Sequence, residues 1–346
     1  MKAAFLRGVR YIVIEETSIS KVPDDGVLLR IDACGICGSD IRRWKLGPNI
    51  GINAQILGHE IAGTIVERGS KVEKYEVGDR VALGADVNCG KCFYCRLNLR
   101  NLCDNLKIFG VHYPGGLSEY MILTSDIIEN GIIHLIPSGL GAPEAAMAEP
   151  ASSVISLFER LKDNYNEDLQ NIAIIGAGPI GYLHVEIGHF FGYRIILIGR
   201  GPRLKYASIF NPDFVINAEL EDPVSSVKRY TGGTGVDVVV VAASSPDAVN
   251  QAFSLVRKRG LIIIFGGFAS NRSFISVDFN LIHYNEICLF GSFGYLEKHH
   301  STALNLIENG HINASKYFEI FPLSETQNAF EMMEKGKILK AMILPW

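Results

Sequence analysis

The sequence predicts an α/β protein in two parts, a β-rich body followed by a doubly wound parallel-sheet domain. Three observations carry this. Residues 1–80 hold short β-type runs broken by turns, among them Tyr11–Ile14, Val27–Ile31 and Ile61–Val66. From Ser153 onward, continuous β-branched runs alternate with longer amphipathic segments, the pattern of strands buried on both faces with crossover helices between them. A glycine-rich loop, Gly176-Ala177-Gly178-Pro179-Ile180-Gly181, follows the first of these later runs.

The totals agree with an ordinary globular enzyme. A chain of 346 residues exceeds one typical core and suggests two domains. Hydrophobic content is 48%, charged content 20% and net charge −4, which argues against the basic surface a nucleic-acid binder needs. No apolar run reaches the roughly 18 residues of a membrane span, and Met1–Leu6 does not read as a signal peptide; the expectation is a cytoplasmic protein. Six of the seven cysteines fall in two tight clusters, which reads as metal binding rather than disulfides. Cys288 stands apart in an apolar stretch and reads as a core residue.

In the first part, Pro23-Asp24-Asp25-Gly26 reads as a turn between two strands. Next comes the stretch from Cys34 to Glu60, bounded by Cys34-Gly35-Ile36-Cys37-Gly38-Ser39-Asp40 and Gly58-His59-Glu60. A thiolate, an imidazole and a carboxylate suit zinc, and a catalytic zinc takes three protein ligands with one position open. The glycines let the backbone bend close to a metal without a Cβ in the way. Either Cys37 or His59 alone reads as a buried core residue; together, each in a glycine-rich turn, they point to a metal.

These residues resemble the zinc-dependent medium-chain dehydrogenases, the family of alcohol, sorbitol and threonine dehydrogenases. Gly58-His59-Glu60 followed by Gly63, Gly69 and Val72 matches that family's zinc signature, and Val77-Gly78-Asp79-Arg80-Val81 is similar to its usual turn and strand. The resemblance spans the chain and lies nearest the polyol (sorbitol) and threonine branch. It implies a GroES-like fold for the β-rich catalytic domain, formed by residues 1–152 and 295–346, and a Rossmann dinucleotide-binding domain over 153–294.

Cys89, Cys92, Cys95 and Cys103 follow with C-x2-C-x2-C-x7-C spacing. Four thiolates can close a tetrahedron around one zinc and leave no open position; an Fe–S cluster also suits four cysteines. The resemblance implies structural zinc, in a lobe at about residues 86–105. Two zinc ions per chain are therefore expected. Further on, Leu117–Ile122 reads as a strand. Ala145-Ala146-Met147-Ala148-Glu149-Pro150 places a carboxylate in a small, apolar segment, and the resemblance puts Glu149 close to the catalytic zinc. A helix over Val154–Leu161 leads into the polar stretch 162–168, read as a boundary.

The later strands are expected at Ile172–Ile175, Arg194–Ile198, Phe214–Ile216, Val236–Val241 and Leu261–Phe265. In the glycine loop, Gly176 allows a tight turn, Gly178 lets the backbone approach a pyrophosphate, and Gly181 lets helix and strand pack closely; Pro179 and Ile180 open the helix whose N-terminus faces the phosphates. The second strand ends Gly199-Arg200-Gly201-Pro202-Arg203, and no acidic residue occurs between Glu186 and Asp213. An NAD-selective fold normally places a carboxylate there. Gly199 removes that charge and Arg200 and Arg203 could pair with a 2′-phosphate, so NADP is expected to be preferred over NAD. Ala243, Gly266, Ser292 and Phe293 lie at or after the ends of later strands and are expected on the nicotinamide side. In the family, the tail returns to the catalytic domain, and by that resemblance Lys340 reaches the cofactor phosphate.

The resemblance implies a zinc-dependent oxidoreductase acting on a secondary alcohol. Cys37, His59 and either Glu60 or Glu149 would hold the catalytic zinc, and Ser39 would take the substrate proton. Arg42 stands where many relatives carry a histidine, and arginine does not release protons near neutral pH. Arg42 and Arg43 read either as cations facing an anionic substrate or as two surface cations. Glu149-Pro150 and Gly291-Ser292-Phe293 lean towards polyols or sugars; threonine, simple secondary alcohols and a non-enzymatic NADP(H) binder are the alternatives. The relatives' dimers and tetramers imply a homo-oligomer, with no nucleic-acid or membrane partner.

Overall fold

In the computed structural model, strands Val27–Gly35 and Glu60–Arg68 pair antiparallel in the middle of an eight-stranded sheet. The register places Cys34 opposite Ile61 and Gly35 opposite Glu60. Strand Lys340–Leu344 pairs with the other edge of Val27–Gly35, with Met342 opposite Gly35. Two ends of the chain thus meet at one strand, and that meeting point positions the site described below. The structure describes residues 1–49, 55–165, 169–268 and 273–346.

Two units form. Unit one is Met1–Ser153 with Gly294–Trp346, and unit two is Val154–Phe293. The division falls inside helix Ala148–Asn164, ahead of the polar stretch read as a boundary; residues 166–168 of that stretch lie outside the described residues. The helix begins earlier than Val154 because Pro150 sits in its first turn, where a missing N–H costs nothing.

Unit one is β-rich, as its short alternating runs require. Arg80–Val87 continues the large sheet, and Tyr120–Leu123 and Gly131–Leu135 pair onto it. A smaller sheet joins Lys2–Gly8 to Tyr11–Glu16 and Gln55–Ile56. Leu29, Ile31, Ile61, Ile65, Val81 and Leu83 form one buried core with Trp44 and Phe330.

Unit two is a six-stranded parallel sheet. In sequence order its strands are Asn171–Ile175, Arg194–Gly199, Phe214–Asn217, Val236–Val241, Val256–Ile264 and Cys288–Gly291. In space the third, second and first are followed by the fourth, fifth and sixth. This is the doubly wound order, and its switch point lies between the first and fourth strands. Ile172, Ile174, Val238 and Val240 have no solvent exposure, which is why these runs are continuous rather than alternating.

Cys288 corrects the expectation of a core residue. It is exposed, because the sixth strand is a sheet edge with only the fifth strand beside it. An apolar run there marks the rim of the sheet, not its interior.

Candidate active site and metal centres

The strand pairing at Gly35 builds the first site. Cys37 follows strand Val27–Gly35 and caps helix Gly38–Leu46, while His59 and Glu60 open the paired strand. The ligand atoms of Cys37, His59 and Glu60 all lie within 4.8 Å of one another. Glycine is required on both sides. A Cβ at Gly35 would sit 2.0 Å from Glu60 Oε2, and one at Gly58, where φ is +96°, would sit 2.5 Å from Cys34 Sγ. Cys34 itself is buried and lies outside the ligand set.

Asp40 holds this arrangement, a role the sequence reading did not assign. Its carboxylate accepts from the Cys37 N–H at 2.9 Å and the Gly58 N–H at 3.3 Å, and its Oδ1 lies 3.7 Å from His59 Nδ1. A carboxylate behind a ligating histidine fixes the ring and leaves Nε2 for a metal. The available signal was an acidic residue three positions after a capping residue. Burial disfavours a charged His59, but Asp40, Cys37 and Glu149 outweigh it and push its pKa well above the ordinary value.

Lys340 enters from the last strand. Its Nζ donates to Glu60 Oε1 at 2.6 Å and to the Ile36 carbonyl at 3.1 Å, and it also presses against Glu60 Oε2. That second oxygen is fully buried, with the Lys340 ammonium as its ion-pair partner. The structure therefore places Lys340 against a candidate metal ligand, buried in unit one.

Glu149 stands apart from the three-residue ligand set. It lies in the first turn of helix Ala148–Asn164, and its Oε1 accepts from the Tyr295 hydroxyl at 2.9 Å. Tyr295 in turn accepts from the Ala85 N–H at 2.8 Å. Burial pushes the Glu149 carboxyl up to about 7, against the pull of His59. Nothing in the local sequence marked Tyr295. Ser39 is exposed beside Cys37, and Arg42 and Arg43 lie half-buried on the same helix.

The second cluster brings all four predicted cysteines together. The sulfurs of Cys89, Cys92, Cys95 and Cys103 lie within 4.8 Å of one another, with Cys92–Cys95 at 3.5 Å and Cys92–Cys103 at 3.9 Å. Tetrahedral thiolates on one zinc are about 3.8 Å apart, so the donors fit a single ion. Backbone N–H groups of Lys91 and Cys92 draw Cys89 down to about 6, whereas burial pushes Cys103 up to about 12. Four unneutralised thiolates this close would repel, and a cation removes that cost.

In unit two, Gly176-Ala177-Gly178 joins the first strand to helix Pro179–Phe190. Gly176 has φ +131°, and a Cβ on Gly181 would lie 1.8 Å from the Gly176 carbonyl oxygen. A Cβ at Gly178 would meet nothing within 4 Å, so the helix start faces open space suited to a pyrophosphate. Gly199 ends the second strand with its Cβ position 2.6 Å from the Ala177 Cβ. Arg200 is exposed, and Arg203 lies partly buried in a short helical turn at Pro202–Tyr206. Burial lowers the pKa of Arg203. The Ser244 hydroxyl donates to the Gly267 carbonyl at 2.7 Å, tying together the loops beside Ala243 and Gly266. Ser292 is partly buried and Phe293 is 60% exposed after the sixth strand.

Comparison with known proteins matches residues 23–131 to the alcohol dehydrogenase GroES-like domain and residues 179–309 to zinc-binding dehydrogenase. Sorbitol dehydrogenase of Bacillus subtilis (strain 168) is 32% identical, covering 100% of this chain and 97% of that protein. D-arabitol-phosphate dehydrogenase of Enterococcus avium is 33% identical over 95% of this chain and 92% of its own. Among solved structures, a zinc-binding dehydrogenase from Sinorhizobium meliloti 1021, bound to NADP, superposes with TM-score 0.88 at 26% identity, covering 99% of each chain.

Proposed function

This chain belongs to the zinc-dependent medium-chain alcohol dehydrogenase family, and from that premise we propose that it oxidises a secondary alcohol of a polyol or sugar, with NADP preferred over NAD. The observation that carries the reading is the convergence of Cys37, His59 and Glu60, whose ligand atoms lie within 4.8 Å of one another. Those donors fit a catalytic zinc in composition and spacing. When bound, such an ion supplies Lewis acidity towards the substrate hydroxyl.

The chain's own residues have separable tasks. Asp40 holds Cys37 and His59 in place. Lys340 balances the charge of Glu60 inside the fold. Glu149, fixed by Tyr295, offers a second carboxylate that can ligate or hold a water. Ser39 is the candidate proton acceptor, and its exposure allows the proton to pass to water where Arg42 cannot relay it. The four cysteines hold a second, structural zinc, giving two per chain.

In unit two the glycine loop binds the dinucleotide, with Gly176, Gly178, Pro179, Ile180 and Gly181 at its phosphates. Arg200 and Arg203 meet a 2′-phosphate at the position freed by Gly199, and Ala243, Gly266, Ser292 and Phe293 border the nicotinamide side. The names of the sorbitol and arabitol-phosphate relatives support the polyol class. We place the protein in the cytoplasm as a homodimer or homotetramer.

The test is an initial-rate assay of NADP+ and NAD+ reduction across polyols, sugars, threonine and simple secondary alcohols. Highest kcat/KM for a polyol or sugar with NADP+ is expected. Turnover confined to NAD+ would refute the cofactor assignment, and turnover confined to threonine or unbranched alcohols would refute the substrate class.

A further inference from the structure

The family resemblance puts Glu149 close to the catalytic metal, yet Cys37, His59 and Glu60 converge without it. Tyr295 accounts for the separation. Its hydroxyl oxygen accepts from the Ala85 N–H at 2.8 Å, so its own proton is turned onto Glu149 Oε1, 2.9 Å away. A phenol keeps that proton near neutral pH. The direction of the bond is therefore set by the backbone of strand Arg80–Val87, not by the two side chains alone.

The same strand ties this pair to the candidate metal centre, all within unit one. Leu83 pairs with Ile61, Ala82 with Ala62 and Val81 with Gly63 in one antiparallel register. Followed two residues further, that register brings Gly84 alongside Glu60 and Ala85 alongside His59. Glu149 is thus tethered, through one hydroxyl, to the backbone beside two of the three ligands. The tether is stiff. Tyr295 is 3% exposed and follows Gly294, whose φ of +63° lies in the left-handed region and whose added Cβ would sit 3.2 Å from the Asn101 Cβ. Its ring stacks at 6.3 Å on His300, which has no solvent exposure and stacks in turn on His134 at 5.2 Å.

We propose that Tyr295 is a positioning residue that holds Glu149 out of the metal's coordination sphere, so that Cys37, His59 and Glu60 are the only protein ligands and one position stays free for the alcohol. The inference rests on the reading of those three residues as a metal site and decides what that reading leaves open, whether the second carboxylate ligates. A Glu149 released beside the ion would supply a fourth protein ligand and turn an open site into a closed one. The packing opposes this. If Glu149 turned away, the buried Tyr295 hydroxyl would lose its acceptor, and its clamped ring could not follow to find another.

The experiment loads the protein with cobalt(II), whose visible spectrum reports its ligands, and titrates it with imidazole, which needs a free coordination position. Wild type, Tyr295→Phe, Glu149→Gln and the double variant are compared, and Cys37→Ser shows which absorbance belongs to this site rather than to the four cysteines. In Tyr295→Phe the imidazole Kd is expected to rise about tenfold or more, because Glu149 must be displaced, and competition with a chelator should show zinc held about tenfold more tightly. Adding Glu149→Gln to Tyr295→Phe should return both values to within about twofold of the wild type. A Tyr295 that served only the fold would loosen the ion when replaced; that result, or an unchanged imidazole Kd, would overturn the proposal. Glu149→Gln alone remains informative if Tyr295→Phe does not fold. Its zinc affinity is expected within about twofold of the wild type, and a loss of about tenfold or more would overturn the proposal, since Glu149 would already be a ligand. None of these readouts needs turnover. The expected cobalt and imidazole results without oxidation of any alcohol would support the positioning role and sink the dehydrogenase reading alone, whereas no Cys37-dependent cobalt would overturn both.

Discussion

Lys340 Nζ donates to Glu60 Oε1 at 2.6 Å, in a pair whose side chains are 3% and 1% exposed. The partners come from opposite ends of the chain and meet because strands Lys340–Leu344 and Glu60–Arg68 flank Val27–Gly35. A buried carboxylate that awaits a cation is otherwise expensive. The ammonium stabilises it through contact with both carboxylate oxygens.

Lys340→Met therefore leaves Glu60 without a counter-charge. In chelator-treated protein the expected loss of stability is about 3–5 kcal/mol. Zinc should restore a larger share of stability in the variant than in the wild type, because the metal replaces the missing cation. Denaturant unfolding with and without zinc measures both. An equal loss in the two states would mean that Lys340 and the metal do not share Glu60.

The four-cysteine lobe has little apolar core of its own; Leu97, Leu99 and Leu102 are exposed. Its order should depend on the ion. Cys103→Ser is expected to speed tryptic cleavage at the exposed Lys91, Arg96 and Arg100 by at least about tenfold, matching chelated wild type. Unchanged cleavage would argue that the lobe is held by its hydrogen bonds alone.

Glu149 sets a pH dependence in the metal-free protein. Burial raises its folded pKa from 4.5 to about 7, so the fold favours the protonated acid. That contribution is fully present below about 4.5 and is lost as pH rises through about 7. On the order of 3 kcal/mol should disappear between pH 4.5 and 8 from this group. Glu149→Gln should flatten the profile over that window, read from urea unfolding in the presence of a chelator. Parallel profiles for the two proteins would contradict the assignment.

Arg200 should separate the two cofactors. Its guanidinium is exposed after Gly199, where a 2′-phosphate would project. Arg200→Ala is expected to raise KM for NADP about tenfold or more and leave that for NAD within about twofold. Equal effects on both would remove the charge argument for NADP.

Much of this was legible in residue order because the chemistry is local. Cys89 to Cys103 declare themselves by spacing, and the tetrad forms as expected. The strand–glycine loop–helix unit is likewise contiguous, so Gly176 and Gly181 could be given backbone roles that agree with a φ of +131° and a 1.8 Å approach, whereas a Cβ at Gly178 would meet nothing within 4 Å. Cys37 and His59 were recognisable by the glycines needed for their close approach. Long-range contacts were not legible. Tyr295 reaches Glu149 across 146 positions, and Lys340 reaches Glu60 across 280, the latter joined only by the strand order. Cys288 misled for the opposite reason, since an apolar run cannot tell a sheet edge from a sheet centre.

The most direct test of the account is the zinc content of the wild type and of Cys37→Ser, measured on matched preparations by mass spectrometry. Two zinc ions per chain in the wild type and one in the variant, with the four-cysteine lobe still protease-resistant, is the predicted result. Equal zinc in the two proteins would contradict it, because Cys37 would then hold no metal and the convergence of Cys37, His59 and Glu60 would serve the fold alone.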